Sequence, residues 1–170
     1  SPMRLGIEKS RNLMTVRLAQ TIGMEKVIET AARLGIVDNL PNQLSMALGA
    51  GETTLLDITT GYSMLVNGGK KIVPTFIDRV QDRHGRTIWR QDDRPCEGCR
   101  NQFWKVDKPV PVLPDTRQQV VNPASAYQVV SMLQGVVERG TGRRIKAVGK
   151  PLAGKTGTTN NEIGRASCRE

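Results

Sequence analysis

LAGKTGTT, residues 152–159, is the stretch on which the reading of this chain turns. A glycine within a short extended segment weakens the strand, and its usual reason is the close approach of a ligand or another backbone. Around Gly157 stand Lys155, Thr156, Thr158 and Thr159, one cation and three hydroxyls. That set suits a carboxylate, with Lys155 supplying charge and Thr156 and Thr158 supplying directed hydrogen bonds. A second polar pattern, Ser10-Arg11-Asn12, stands where a helix begins. Alone it is bland, because Ser10 makes a good helix N-cap and Asn12 an ordinary first-turn residue. Its chemical value depends on meeting the lysine strand in space.

Upstream of that strand the period is mostly helical. Residues 12–20 carry Leu13, Val16 and Ala19 or Gln20 at three-to-four spacing, and residues 24–34 repeat the pattern through Val27, Ile28, Ala31 and Leu34. Gly23 offers a stop to the first, and Gly35 is placed to take the left-handed conformation after the second. A loop rich in Asn, Pro and Gly leads to Thr53 or Thr54 as the cap of a third helix. Its apolar face is Leu55, Ile58, Tyr62 and Leu65, and NGG at 67–69 ends it. The period then turns extended in KKIVPTFIDRV (70–80) and TIWR (87–90), with QDRHGR between them as a hairpin turn that makes His84 a turn residue. Residues 91–121 lack a period, hold Pro95, Pro109, Pro111 and Pro114, and read as an insertion. Asn122 as cap and Pro123 at the first position open a last helix whose stripe runs through Tyr127, Val130, Leu133 and Val137 to Gly140. The expected class is α+β, a helical subdomain followed by part of an antiparallel sheet.

The length of 170 residues suits one domain, within the usual range of about 100–200. No apolar run approaches the ~18 residues of a membrane span, and SPMRLGIEKS has no signal-peptide core. A net charge of +9 raises nucleic acid as a partner. Only RGTGRRIKAVGK (139–150) is densely basic, however, and no aromatic residues interleave with it as stacking platforms. Nucleic acid is therefore set aside, and a basic face toward an anionic membrane or cell-wall polymer accounts for the charge. Cys96 and Cys99 form a close pair, but Cys168 and His84 do not complete a zinc site at a convincing spacing. No metal is expected, and the pair is either a local disulfide or two loop thiols, according to compartment.

Taken together, Ser10-x-Asn12 and Lys155-Thr156-Gly157 resemble two of the three motifs of serine acyl-transfer enzymes of the penicillin-binding and β-lactamase type. SRNLMTVRLAQTIG, LSMALGAGETTLLDITTGYSMLVNGGKKIVPTFIDRVQDRHGRTIW and GVVERGTGRRIKAVGKPLAGKTGTTN extend the likeness over residues 8–161. The chain resembles the transpeptidase domain of a bifunctional class A penicillin-binding protein, and RPCEGC (94–99) is similar to bacterial members of that group. The resemblance implies an incomplete penicillin-binding, serine β-lactamase-like fold. It implies that Ser10 shares in a proton relay tuned by Lys155 and that Asn12 hydrogen-bonds the acyl donor's side-chain amide. It further implies that Thr156 and Thr158 hold the substrate carboxylate beside Gly157, and that the Thr158 backbone N–H donates to the oxyanion. The reaction implied is attack by serine on a D-alanyl-D-alanine stem peptide followed by transfer to an amine, with β-lactams acylating the same serine. No cofactor is implied. Peptidoglycan stem peptides and β-lactams are the implied partners, with other cell-wall synthesis proteins possible; the implied location is the periplasmic face of a bacterial inner membrane.

One departure decides what the chain can do by itself. Serines occur at 1, 10, 45, 63, 125, 131 and 167, and none has lysine three residues later. The S-x-x-K nucleophile of the family is thus expected ahead of residue 1, along with a membrane anchor, and the fragment alone is expected to be inactive. At the other end, residues 162–170, EIGRASCRE, fit a translation of sequencing-adapter DNA and are expected to be a non-native tail. A sheet cut at residue 161 is expected to leave an unpaired edge beside Lys155. Two other readings share these residues: a nucleophile-free module that binds peptidoglycan or a protein, and a serine β-lactamase. The long insertion and the SRN pattern argue against the latter.

Overall fold

The computed structural model describes residues 2–96, 99 and 109–157, together with the backbone strand at 166–169. Expectations for Thr158 and for most of the segment 97–108 lie outside the described residues. In chain order the elements are α1 (Met3–Glu8), α2 (Asn12–Ile22), α3 (Met24–Arg33), a 3-10 helix (Leu44–Leu48), α4 (Leu55–Val66), β1 (Arg79–Gln81), β2 (Thr87–Arg90), α5 (Pro123–Glu138), a second 3-10 helix (Arg143–Val148), β3 (Ala153–Thr156) and β4 (Ala166–Arg169). The architecture is α+β, as the sequence implies. Two compact units result, Ser1–Ile72 with Gln119–Glu170, and Val73–Gln118.

In the first unit α5 is the central element, packing against α1, α4 and β3. It begins as expected, with the Asn122 side chain accepting from the N–H groups of Ala124 and Ser125 and Pro123 following at once. Its buried residues are Ala126, Met132, Leu133, Gly135, Val136 and Val137, whereas Tyr127 is 75 % exposed. The expected stripe is therefore displaced at its N-terminal end. A helix that presses on three neighbours buries a broad face, and Ala126, fully buried, meets that face with a side chain small enough to fit. In α2 the same correction applies to Leu13, which is exposed, while Ala19 is buried. Leu34, Met64 and Val120 form a core cluster flanked by Ile36, Ile72 and Val121.

Helix α4 starts at the second of the two candidate caps. The Thr54 hydroxyl accepts from the Asp57 N–H at 3.1 Å and donates to the Asp57 carboxylate at 2.6 Å. Thr53 instead donates its hydroxyl to the Ile36 carbonyl, tying the preceding loop to the end of α3. At the other end Gly68 carries φ 70°, and Gly69 N–H reaches back to the Met64 carbonyl, closing the helix as the NGG signal implies.

The second unit contains the hairpin. Strands β1 and β2 pair antiparallel, and the Asp82 carboxylate accepts from the N–H groups of His84 and Arg86 to hold the turn. The extended reading of residues 70–80 shrinks to the start of β1 at Arg79 and Val80, because Pro74 lacks an N–H and the Thr75 hydroxyl captures the N–H of Ile77 in a local turn. Cys96 and Cys99 are disulfide-bonded, with Cα atoms 5.5 Å apart.

Returning to the first unit, β3 pairs antiparallel with β4, setting Lys155 opposite Ser167 and Thr156 opposite Ala166. The expectation of an unpaired edge beside Lys155 is corrected on this side of β3. Residues 166–169, though read as a non-native tail, supply its partner strand.

Replacing Thr54 with alanine removes the cap of α4 and is expected to lower stability by about 1 kcal/mol, the usual effect of losing such a residue. Denaturant unfolding of the two chains measures it; an unchanged midpoint would show that the cap contributes nothing.

Candidate active site

Helix α1 is six residues long and ends two residues before Ser10. Its terminus follows the Schellman pattern, in which Arg11 N–H donates to the Gly6 carbonyl at 2.8 Å and Ser10 N–H donates to the Ile7 carbonyl at 3.2 Å. The residue that follows the cap in this pattern takes a left-handed conformation. Gly35 and Gly68 occupy it after α3 and α4, but after α1 it is Ser10, with φ 51°. Among the described residues no other non-glycine has positive φ. Ser10 is therefore not the N-cap of α2, a position that falls to Arg11 and lacks any side-chain cap bond. A Cβ in this region is strained by about 1–3 kcal/mol, and such strain persists where the surroundings impose it.

Against this turn stand the end of α5 and the residues that follow it. Glu8 is 4 % exposed, and its carboxylate receives a forked contact from Arg139, Nη2 to Oε1 at 2.7 Å and Nε to Oε2 at 3.1 Å. Arg4 stands 3.8 Å from Oε1. The Glu8 carbonyl accepts the Thr141 N–H at 3.1 Å, and Lys9 Nζ donates to the Arg139 carbonyl at 2.9 Å. Backbone approach makes this possible. A Cβ placed on Gly135 would lie 2.1 Å from Glu8 Oε1, and one on Gly140 would lie 2.3 Å from the Glu8 carbonyl oxygen. Both positions accept only glycine while Glu8 stays where it is.

On the far side of this junction runs β3. Lys155 Nζ donates to Ser10 Oγ at 2.8 Å and to the Thr156 carbonyl at 2.9 Å. Thr156 Oγ1 shares a hydrogen bond of 2.7 Å with Thr141 Oγ1. Burial lowers the pKa of Lys155 from its ordinary 10.5, because leaving water disfavours the ammonium. Ser10 and Asn12 line one hollow of about 510 Å³ with Leu5, Arg11, Leu13 and Met14.

The structure therefore brings together Ser10, Lys155 and Thr156. It places Asn12 beside Ser10, in the same hollow, and leaves Gly157 exposed at the end of β3. Thr158 lies outside the described residues, and Cys96 and Cys99 belong to the other unit. Sequence reasoning missed Glu8, Arg139 and Thr141. One signal was present: Gly135 stands inside an otherwise strong helical pattern, where glycine costs about 1 kcal/mol and is kept for a packing reason.

Residues 1–164 match the family described as the penicillin-binding protein transpeptidase domain. The chain is 45 % identical to penicillin-binding protein 1A of Rickettsia bellii over 160 residues, covering 94 % of this chain and 20 % of that protein. It is 30 % identical to penicillin-binding protein 1A of Pseudomonas aeruginosa, covering 94 % and 23 %. Its structure is similar to that of penicillin-binding protein 1A from Haemophilus influenzae, with a TM-score of 0.72 at 28 % identity, over 92 % of this chain and 26 % of that one. A D,D-transpeptidase domain from Eggerthella lenta shares the fold at a TM-score of 0.68 and 20 % identity, over 96 % of this chain and 43 % of that one. The chain thus spans about one fifth of the length of the curated relatives it matches. With this match over nearly its whole length, and with its two polar motifs joined through Ser10 and Lys155, the chain belongs to the penicillin-binding protein transpeptidase family.

Proposed function

We propose that this chain is part of a peptidoglycan D,D-transpeptidase that cross-links stem peptides through a serine acyl-enzyme and is acylated by β-lactams. The observation that carries the reading is the hydrogen bond from Lys155 Nζ to Ser10 Oγ, which unites motifs 145 residues apart. A hydroxyl held on a partly desolvated ammonium is suited to passing a proton. In the proposed reaction the serine of an S-x-x-K motif, supplied by the longer protein, attacks the carbonyl of the penultimate D-alanine. Ser10, with Lys155 behind it, relays a proton to the departing D-alanine nitrogen as the carbon–nitrogen bond breaks. An amine of a neighbouring stem peptide then attacks the ester, returning the serine and forming the cross-link.

Substrate would be held by the residues around this relay. Asn12 is proposed to hydrogen-bond the donor's side-chain amide from the hollow it shares with Ser10. Thr156, fixed by Thr141, and Thr158 are proposed to hold the terminal carboxylate, with Gly157 allowing it close to the strand. A backbone donor to the oxyanion, assigned to Thr158, is worth ~3 kcal/mol in the transition state. The proposed location is the periplasmic face of the inner membrane, with the anchor outside this chain; among the described residues no helix is long and apolar enough to cross a membrane. The disulfide of Cys96 and Cys99 suits such an oxidising compartment.

Fluorescent penicillin tests the reading. The longer protein carrying S-x-x-K ahead of this segment is expected to take a detergent-stable label at one per chain, and the 170-residue chain alone to take none. A longer protein that resists labelling, or an isolated chain that labels stoichiometrically, contradicts it.

Ser10 gives a sharper outcome. Ser10→Gly relieves the left-handed strain and removes the relay hydroxyl, so its melting temperature should hold or rise while acylation falls at least ~100-fold, the low end for general acid–base groups. Ser10→Ala keeps the strain and should lose both. Equal melting temperatures in the two variants would refute the strain.

Lys155 predicts a pH dependence. Its folded pKa lies below its unfolded value, so its contribution favours folding above the unfolded pKa and is lost as pH falls through the folded one. Lys155→Met carries no ammonium to desolvate. Its stability relative to the parent should therefore be highest at neutral pH and fall as pH rises toward 10.5, on top of the loss of the hydrogen bonds to Ser10 and Thr156. Thermal unfolding across pH decides, and a difference that does not change with pH excludes desolvation as its cause.

A further inference from the structure

Glu8 takes no part in the chemistry just described, yet it is the most buried charged side chain near it. Carboxylates are rarely hidden unless paired, and this one is paired by a fork from Arg139 with Arg4 close behind. Two runs of three residues meet here. Glu8, Lys9 and Ser10 lie on one side, and Arg139, Gly140 and Thr141 on the other. They are joined by the Glu8–Arg139 fork, by Lys9 Nζ on the Arg139 carbonyl, and by Thr141 N–H on the Glu8 carbonyl. Each run then reaches β3, through Ser10 to Lys155 and through Thr141 to Thr156. The pair thus closes a ring that contains both contacts of the lysine strand.

We propose that Glu8, through Arg139, is a positioning residue of the transpeptidase reaction, locking Ser10 in its left-handed conformation at hydrogen-bond distance from Lys155. The inference rests on the function proposed above and adds a part to it. Helix α1 is too short to hold its own terminus, since six-residue helices are marginal without tertiary support. Released from α5, the Ser10 backbone would relax to negative φ and its hydroxyl would swing from Lys155. Arginine is suited to the task because its planar fork fixes direction as well as distance. The glycines at 135 and 140 follow from the same requirement, as each leaves room for a Glu8 atom that a Cβ would displace.

The test uses the full-length protein that carries this segment and measures fluorescent-penicillin acylation as a limiting rate and an apparent Kd, at temperatures where each variant is folded. Glu8→Gln keeps the shape and removes the charge, and Arg139→Gln leaves the buried carboxylate with Arg4 but without the fork. Each should lower the limiting rate about tenfold or more and raise Kd by a smaller factor, because the clamp lies two residues from Ser10 and reaches the proposed carboxylate site only through Thr141 and Thr156. The Glu8→Gln, Arg139→Gln double variant should lose less than the product of the single losses, as coupled partners do. Lys9→Met, at an exposed position that does not threaten folding, should show a smaller loss in the same limiting rate. Folded variants that acylate at the parental limiting rate, whatever their melting temperatures, would overturn the proposal. If Glu8→Gln fails to fold, Lys9→Met and Arg139→Lys decide, the latter keeping the cation without the fork. A parent protein that takes no label overturns the functional reading instead, and the positioning role with it.

Discussion

The structure depends on a buried carboxylate. Glu8 is drawn out of solvent onto the end of α5, and the surrounding design follows from making that tolerable. Removing one partner of such a pair destabilises because it leaves the buried charge less compensated, and here Arg4, 3.8 Å from the same carboxylate, compensates in part. Arg139 keeps about half of its side-chain surface, so the pair is a surface-anchored clamp and not an isolated interior charge. Its consequence is geometric. The clamp stands with the bonds of Lys9 to the Arg139 carbonyl and of Thr141 N–H to the Glu8 carbonyl between α1 and the end of α5, beside the point where Ser10 and Lys155 meet although most of the chain separates them.

Two local costs are concentrated at that meeting point. Ser10 adopts a backbone conformation that glycine fills after two other helices of the same unit, and Lys155 gives up hydration that an exposed lysine would keep. Both are understandable if the hydroxyl is needed, since glycine would relax the turn but offer no Oγ. Stability and chemistry then oppose each other at these residues, a tension common at reactive sites. Thr141 spreads the constraint to the neighbouring hydroxyl of Thr156, so that the strand presents two polar groups with their positions set.

Much of this was legible in the sequence, and what was not has physical reasons. The cap at Asn122, the start of α4 at Thr53 or Thr54, the glycine endings after α3 and α4, the hairpin turn at His84–Gly85 and the lysine strand are local signals, each decided within a few residues. The pairing of Ser10 with Lys155 came from the family resemblance, because nothing in either motif alone requires the other. The cap reading of Ser10 fails because Ser10 closes α1 in a Schellman turn, and a helix of six residues leaves too little period to be read. Glu8 and Arg139 look like ordinary surface charges until 131 residues of separation are folded away. The stripe of α5 was misplaced at Tyr127 because a helix pressed on three sides obeys its neighbours more than its period. Pro74 and Thr75 shorten the extended segment through local turn chemistry that overrides its β-rich composition.

High-resolution electron density for this segment within the longer protein tests the central claim most directly. The account predicts Ser10 at positive φ with its Oγ within hydrogen-bond distance of Lys155 Nζ, and Arg139 forked on Glu8. Density showing Ser10 at negative φ, its hydroxyl turned to the first N–H groups of α2 and away from Lys155, would contradict it.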